Sequence, residues 1–111
     1  MSLIQRSWHR IETAVDGTLL DAQTTNTNGI WSPLGARPWT VTARGVWGGA
    51  SVTVYVSNQV ARPLDTDNTQ AVFQIFAAPG SGESNGSYRW IKAQLASAGG
   101  GTSITVDVMG G

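Results

Sequence analysis

Cysteine is absent from this sequence, and charged residues are scarce. Without cysteine, the 111-residue chain has no disulfide framework and no thiolate chemistry, which suits a reducing compartment. Seven Lys and Arg residues balance seven Asp and Glu residues, so the chain lacks the basic surface of a nucleic-acid-binding protein. No apolar run approaches the ~20 residues that cross a bilayer. We therefore expect neither a nucleic acid nor a membrane as partner.

The N-terminus has no apolar core of the kind found in secretory signals, and it reads as mature, non-secreted sequence. Residues 1–9 show no clear period, and we expect them to form an N-terminal arm that either frays or orders against a neighbouring subunit. The length suits one domain, which we place at residues 10–111.

The rarity of charge and the abundance of Gly, Thr, Ser and Val favour β-structure over long surface helices. The pattern is clearest in residues 39–57, where apolar side chains recur at every second position. Gly48-Gly49 interrupts the alternation, which predicts a β-hairpin at this point. On this reading, the face shared by Trp39, Trp47 and the valines is buried.

Similar runs predict strands along the rest of the chain. We expect Ile91, Ala93 and Leu95 to point inward, as well as Ile104, Val106 and Val108. The further strands are predicted at 10–15, 18–23, 29–32, 70–77, 88–95 and 102–108, with a turn at Asp16-Gly17, an irregular loop at 58–68 and a flexible loop at 79–86. About eight short strands at this spacing predict an all-β, two-sheet antiparallel β-sandwich, jelly-roll or Ig-like.

Candidates for catalysis or metal binding are few. His9 is the only histidine, and no motif gives it a positioned partner. The stretch Asp65-Thr66-Asp67-Asn68 resembles the start of a calcium loop, but it lacks the glycine and the later glutamate of that motif, so we expect a solvated turn. The glycine-rich segments lack the Lys-Ser/Thr of a phosphate loop. We therefore expect no catalytic, cofactor or metal site and no enzymatic activity.

Five tryptophans in a chain of this length allow two interpretations. Aromatic rings displayed on a β-sandwich can stack on sugars, and exposed tryptophan is also enriched at protein interfaces. The register assigns Trp39 and Trp47 to the core. The remaining aromatic candidates for contact with a partner are Trp8, Trp31, Tyr88 and Trp90.

The segment from Trp39 to Asn58, together with residues 88–93 and 99–106, is similar to small β-sandwich structural proteins of tailed bacteriophages. It most resembles head decoration, or cement, proteins, with the likeness covering roughly residues 37–109. The Gly-Gly-Ala turn, the Val-Thr-Val strand closing on Ser57-Asn58 and the late Tyr-Arg-Trp-Ile strand carry it. Those relatives commonly continue Ser-Asn-Asp-Gly, whereas here Ser57-Asn58 runs into Gln59-Val60.

The resemblance implies a virion structural protein that binds the assembled capsid lattice and stabilises it. Its partners would be the major capsid protein and further copies of this chain, as a dimer or trimer. It would be made in the bacterial host cytoplasm and reside on the capsid surface. The alternative interpretation is a carbohydrate-binding β-sandwich module of a phage tail or adhesin.

Overall fold

A computed structural model describes residues 15–35 and 38–110. Within these residues the chain forms strands and no helix. The strands are β1 (Val15–Gln23), β2 (Ser32–Pro33), β3 (Trp39–Val46), β4 (Ser51–Ser57), β5 (Ala71–Phe76), β6 (Gly80–Ser84), β7 (Trp90–Ala96) and β8 (Ser103–Gly110). None of the described segments is a helix of the length and apolar character that spans a bilayer. The expected arm at 1–9, and residues 10–14 of the first expected strand, lie outside the described residues.

The strands form two antiparallel four-stranded sheets, which confirms the predicted sandwich. The first sheet has the order β1-β8-β3-β6 and the second has the order β2-β7-β4-β5. Strand β1 therefore pairs with β8, β2 with β7, β3 with β6 and β4 with β5. These pairs correspond to one long antiparallel ribbon rolled up on itself, which is the topology of an eight-stranded jelly roll.

The core lies between the two sheets and confirms the predicted inward register. Its buried side chains alternate along the central strands, as a pleated strand with one covered face requires. Trp39 is buried, whereas Trp47 packs against the core and is only half-buried. The main inward residues are Val41, Ala43, Val52, Val54, Val56, Ile91, Ala93, Leu95, Ile104, Val106 and Val108.

The predicted hairpin around Gly48-Gly49 is wrong, because its two strands belong to different sheets. Strand β3 pairs with β8 and β6, while β4 pairs with β7 and β5. Gly48 and Gly49 have φ values of 56° and 86°, and the Ala50 N–H donates to the Trp47 carbonyl at 2.9 Å. The glycines thus supply the left-handed turn that the sequence indicates, but this turn carries the chain from one sheet to the other.

Two other local predictions are wrong for a related reason. Asp16 and Gly17 do not turn the chain, because they pair with Met109 and Val108 inside a continuous β1. The segment expected to be a flexible loop contains β6, which pairs with β3 along its whole length. At Gly82 an added Cβ would meet the side-chain oxygen of Gln74, so a larger residue there would require that flexible side chain to move. Long-range strand pairing overrides the local turn preference at both places.

The outer faces of the two sheets differ. The first sheet exposes Thr40, Thr42, Arg44, Asp107 and Met109 along a shallow polar face. Residues 58–70, which connect β4 to β5 and are called the capping loop below, cover the part of the second sheet's outer face around Lys92. Val72 and Ile75 of β5 in the same sheet stay exposed. The predicted irregular loop at 58–68 is thus confirmed as irregular, and it forms a third layer on that side.

Candidate functional site

The candidate site is built on Tyr88, Arg89 and Trp90, where the chain enters β7. The ring of Tyr88 is half-buried and meets that of Trp39 edge to face, with centroids 6.2 Å apart and planes at 78°. The Trp90 indole N–H donates to the Gln59 carbonyl at 2.9 Å. Both aromatic residues therefore combine a packed face with a partly exposed one, which is the character of interface aromatics.

Arg89 lies between these two rings in sequence and is exposed. Its backbone N–H donates to the Ser57 carbonyl and to the Asn58 side-chain oxygen, each at 3.0 Å. The backbone is thereby fixed to the end of β4 while the guanidinium projects into solvent. None of the ion pairs within residues 15–35 and 38–110 includes Arg89. Its charge is available to an anionic group on a partner.

A shallow groove of about 410 Å³ runs along this end of the molecule. Its lining consists of Gly35, Asn58, Ser87, Tyr88 and Arg89. One aromatic ring, one guanidinium and small hydrogen-bonding side chains can recognise a polypeptide or a sugar. The described lining holds no carboxylate, imidazole or thiol that could act as a general base or nucleophile.

The expectation that Trp31 is exposed at a sheet edge is wrong. Only 1% of its surface is accessible, and its indole N–H donates to the Leu64 carbonyl at 3.0 Å. Its ring centroid lies 6.4 Å from that of Tyr55. The edge position was predicted correctly, since β2 borders the second sheet. The capping loop folds over that edge, so Trp31 belongs to the interior and is left out of the contact surface proposed below.

Lys92 is the most unusual residue beneath the capping loop, because 0% of its surface is accessible. Its ammonium group donates to the carbonyls of Asp65 at 2.8 Å and Asp67 at 3.3 Å, and to the side-chain oxygen of Asn68. It also lies 5.2 Å from the ring centroids of both Trp31 and Tyr55. Oxygen acceptors and aromatic faces together offset the cost of removing this charge from water.

Two ionisable groups of this cluster have shifted pKa values. Burial lowers the pKa of Lys92, although the carboxylates of Asp65 and Asp67 act in the opposite direction. Hydrogen bonds from the Thr69 side chain, the Gln70 side chain and the Thr69 backbone lower the pKa of Asp67 to about 2. The ionised Asp67 accepts these hydrogen bonds from Thr69 and Gln70 at the end of the capping loop.

Lys92 points away from the core between the sheets, as its register predicts, but it is fully buried, so the expectation of a solvent-exposed lysine is wrong. The predicted turn at Asp65-Thr66-Asp67-Asn68 is present with partly exposed side chains, and its backbone carbonyls face Lys92. The turn resembles the start of a calcium loop in its many oxygen atoms, but the group that its oxygens bind is the ammonium of Lys92. The sequence feature that could have indicated this contact is Lys92, the single lysine of the chain, which shares the predicted outward register of Tyr88 and Trp90. In the structure it pairs with Tyr55 of the adjacent strand.

In the part of the chain that the structure describes, no three His, Asp or Glu residues cluster in a way that could hold a metal ion. Trp8 and His9 lie outside the described residues, so the structure places neither of them. Of the predicted contact residues that the structure describes, Tyr88 and Trp90 are both half-buried, but Tyr88 packs against Trp39 of the core, whereas Trp90 binds the capping loop at Gln59. Trp31 is buried.

Comparison of the chain with protein-family models, with characterised proteins and with solved structures finds no match in any of the three. The resemblance to phage decoration proteins therefore remains a prediction from the sequence.

Proposed function

We propose that this protein is a virion structural protein that decorates and stabilises an assembled capsid. The observation that carries the proposal is the composition of the Tyr88–Trp90 end. The exposed Arg89 lies between two half-buried aromatic residues in sequence, and the Trp90 indole binds Gln59, which precedes the exposed Val60. Aromatic residues and arginine are enriched at protein interfaces. The jelly roll supports the proposal at the level of fold, since viral capsid domains use it, but lectins use it as well.

The expected partners are the major capsid protein and further copies of this chain, as a dimer or trimer on the capsid surface. A protein that binds the assembled lattice and not the free subunits stabilises the lattice by mass action. The effect is about 2.7 kcal/mol per site when the free protein is at a hundredfold excess over its Kd. An oligomer that bridges several capsid subunits gains further avidity without a new type of contact.

The test uses capsids that were assembled without this protein, from the phage whose genome encodes it. The added protein should sediment with the capsids and raise the temperature at which they release DNA. Arg89→Glu should weaken this binding, whereas Arg44→Glu, a matched charge reversal on the outer face of the first sheet, should leave it unchanged. A protein that stays in the supernatant at every concentration would rule out decoration.

A carbohydrate-binding module is the second candidate, and the groove of about 410 Å³ beside Tyr88 favours it. An aromatic ring flanked by Asn58, Ser87 and Arg89 offers both stacking and hydrogen bonds to a sugar. Glycan-array binding that disappears in Tyr88→Ala and persists in Thr42→Ala would support this candidate. Capsid binding without glycan binding would reject it.

A further inference from the structure

We infer that the capping loop, residues 58–70, makes the contact with the capsid lattice, through the side chains of Val60 and Leu64. The complementary surface would be a protein surface with an apolar depression and carboxylates at its border. This assignment rests on the proposed function, because it names the part of the molecule that performs the decoration.

The length and the order of the capping loop are the first support. Loops longer than ~12 residues without secondary structure are uncommon in compact domains, and most are either functional or disordered. This loop is held at many points. Lys92 binds the backbone of Asp65 and Asp67 from below, and the Arg62 side chain donates to the Trp31 carbonyl at 2.9 Å. Because these hydrogen bonds fix the capping loop to the sheet, it does not belong to the long loops that are disordered.

The anchoring fixes the conformation around Leu64 in particular. The Leu64 carbonyl accepts hydrogen bonds from the Trp31 indole at 3.0 Å and from the Asp67 backbone at 2.9 Å. Pro63, immediately before it, is buried. A side chain presented by a rigid backbone loses little conformational entropy on binding, so this arrangement favours affinity.

The side chains that the loop presents to solvent include large apolar ones. Val60 is 80% exposed and Leu64 is 75% exposed, while the neighbouring Ile30 is 61% exposed. Ile30 precedes Trp31, whose backbone N–H donates to the Asp65 carboxylate at 3.2 Å. Exposed apolar side chains that share one region of a surface mark interaction sites.

The charges around the loop indicate the chemistry of the partner. Arg62 and Asp65 form an ion pair at 2.7 Å and so neutralise each other locally. Arg89, whose backbone is bound to Asn58 at the start of the loop, adds a positive charge at the border of the patch. A carboxylate on the partner is the complementary group.

The test compares two double variants of the full chain that introduce the same charge. Val60→Asp with Leu64→Asp alters the capping loop. Val46→Asp with Met109→Asp alters two side chains on the first sheet that are also well exposed, at 60% and 63%. Thermal melting checks that both variants fold. Binding to capsids that lack the protein is then measured by sedimentation.

The capping-loop variant should bind the capsids at least about 30-fold more weakly, as expected when hot-spot side chains are lost. The first-sheet variant should stay within about threefold of the wild type. Wild-type binding that the capping-loop variant retains would overturn this assignment alone. Absence of wild-type binding would overturn the proposed function and the assignment with it.

The oligomeric state of the wild type and of both double variants is measured without capsids. If the wild type forms dimers or trimers without capsids and only the capping-loop variant is monomeric, the loop joins copies of this chain, and the assignment to the capsid is overturned. If both variants keep the oligomeric state of the wild type, the loop is free to meet the capsid, as inferred.

Discussion

The two outer faces of the sandwich carry similar strands but have different environments. On the first sheet, Arg44 is exposed and pairs with Asp107 at 3.0 Å in contact with water. On the second sheet, Lys92 is fully buried and is held by backbone oxygens and two aromatic rings. The same class of residue thus has opposite roles on the two faces. Alternation along a strand identifies its two faces. Whether the outer face is exposed to solvent depends on distant segments of the chain, such as the capping loop.

The largest effect that separates the two faces is expected from Trp31→Ala. Removing this ring should lower the free energy of unfolding by ~3–5 kcal/mol, because it leaves a cavity under the capping loop and a carbonyl without its donor. Met109→Ala on the first sheet should cost no more than about 0.5 kcal/mol. Chemical denaturation measures both. Equal losses would mean that the outer face of the second sheet is not a second core.

The two cationic residues give a smaller but closely matched contrast. Lys92→Met fills similar space but leaves the carbonyls of Asp65 and Asp67 without a donor, which should cost ~1–3 kcal/mol. Arg44→Met breaks only a surface ion pair and should cost ~0–1 kcal/mol. Amide hydrogen exchange should accelerate at Asp67 and Thr69 in the lysine variant and not in the arginine variant. Unchanged exchange would show that Lys92 does not hold the capping loop.

The smallest expected effect is the contribution of Asp67 to the pH dependence of the free energy of unfolding. Its carboxyl has a pKa of about 2 in the folded protein, below the ordinary value of 3.8. Between these two values the unfolded chain binds more protons than the folded one. The contribution of Asp67 is therefore complete above about pH 4 and disappears as the pH falls toward 2.

A comparison of wild type with Asp67→Asn reports this contribution directly. The difference in stability between them should be constant above pH 4 and should shrink below it. Thr69→Val, which removes a hydroxyl that donates to Asp67, should bring this decline to a higher pH. A difference that stays constant down to pH 2 would show that the bonds to Asp67 do not form in solution.

Much of the sandwich could be predicted from the sequence because it depends on period-two patterns. The inward registers of residues 91–95 and 104–108 and the buried position of Trp39 are confirmed. Strand partners were harder, because Gly48-Gly49 favours a tight turn without specifying whether that turn joins neighbours in one sheet or crosses between sheets. Only the pairing of β3 with β8 and of β4 with β7 decides this, and those contacts are distant in the sequence.

The candidate site was partly predictable for the same physical reason. Trp90 was identified because its outward register is a local property, whereas Tyr88, predicted to face outward with it, packs against Trp39 of the core. The burial of Trp31 and Lys92 was not predictable in this way, because it depends on the capping loop folding back over the second sheet. The signal was divided between Asp65-Thr66-Asp67-Asn68 and a lysine that lies 24 to 27 residues away.

Electron cryomicroscopy of capsids decorated with this protein tests the functional account most directly. The map should show the jelly roll on the outside of the shell, with Val60, Leu64 and Arg89 against a capsid subunit and the Thr40–Arg44 face directed away from it. A shell without ordered density for this chain, or a chain bound through its threonine face, would refute the account.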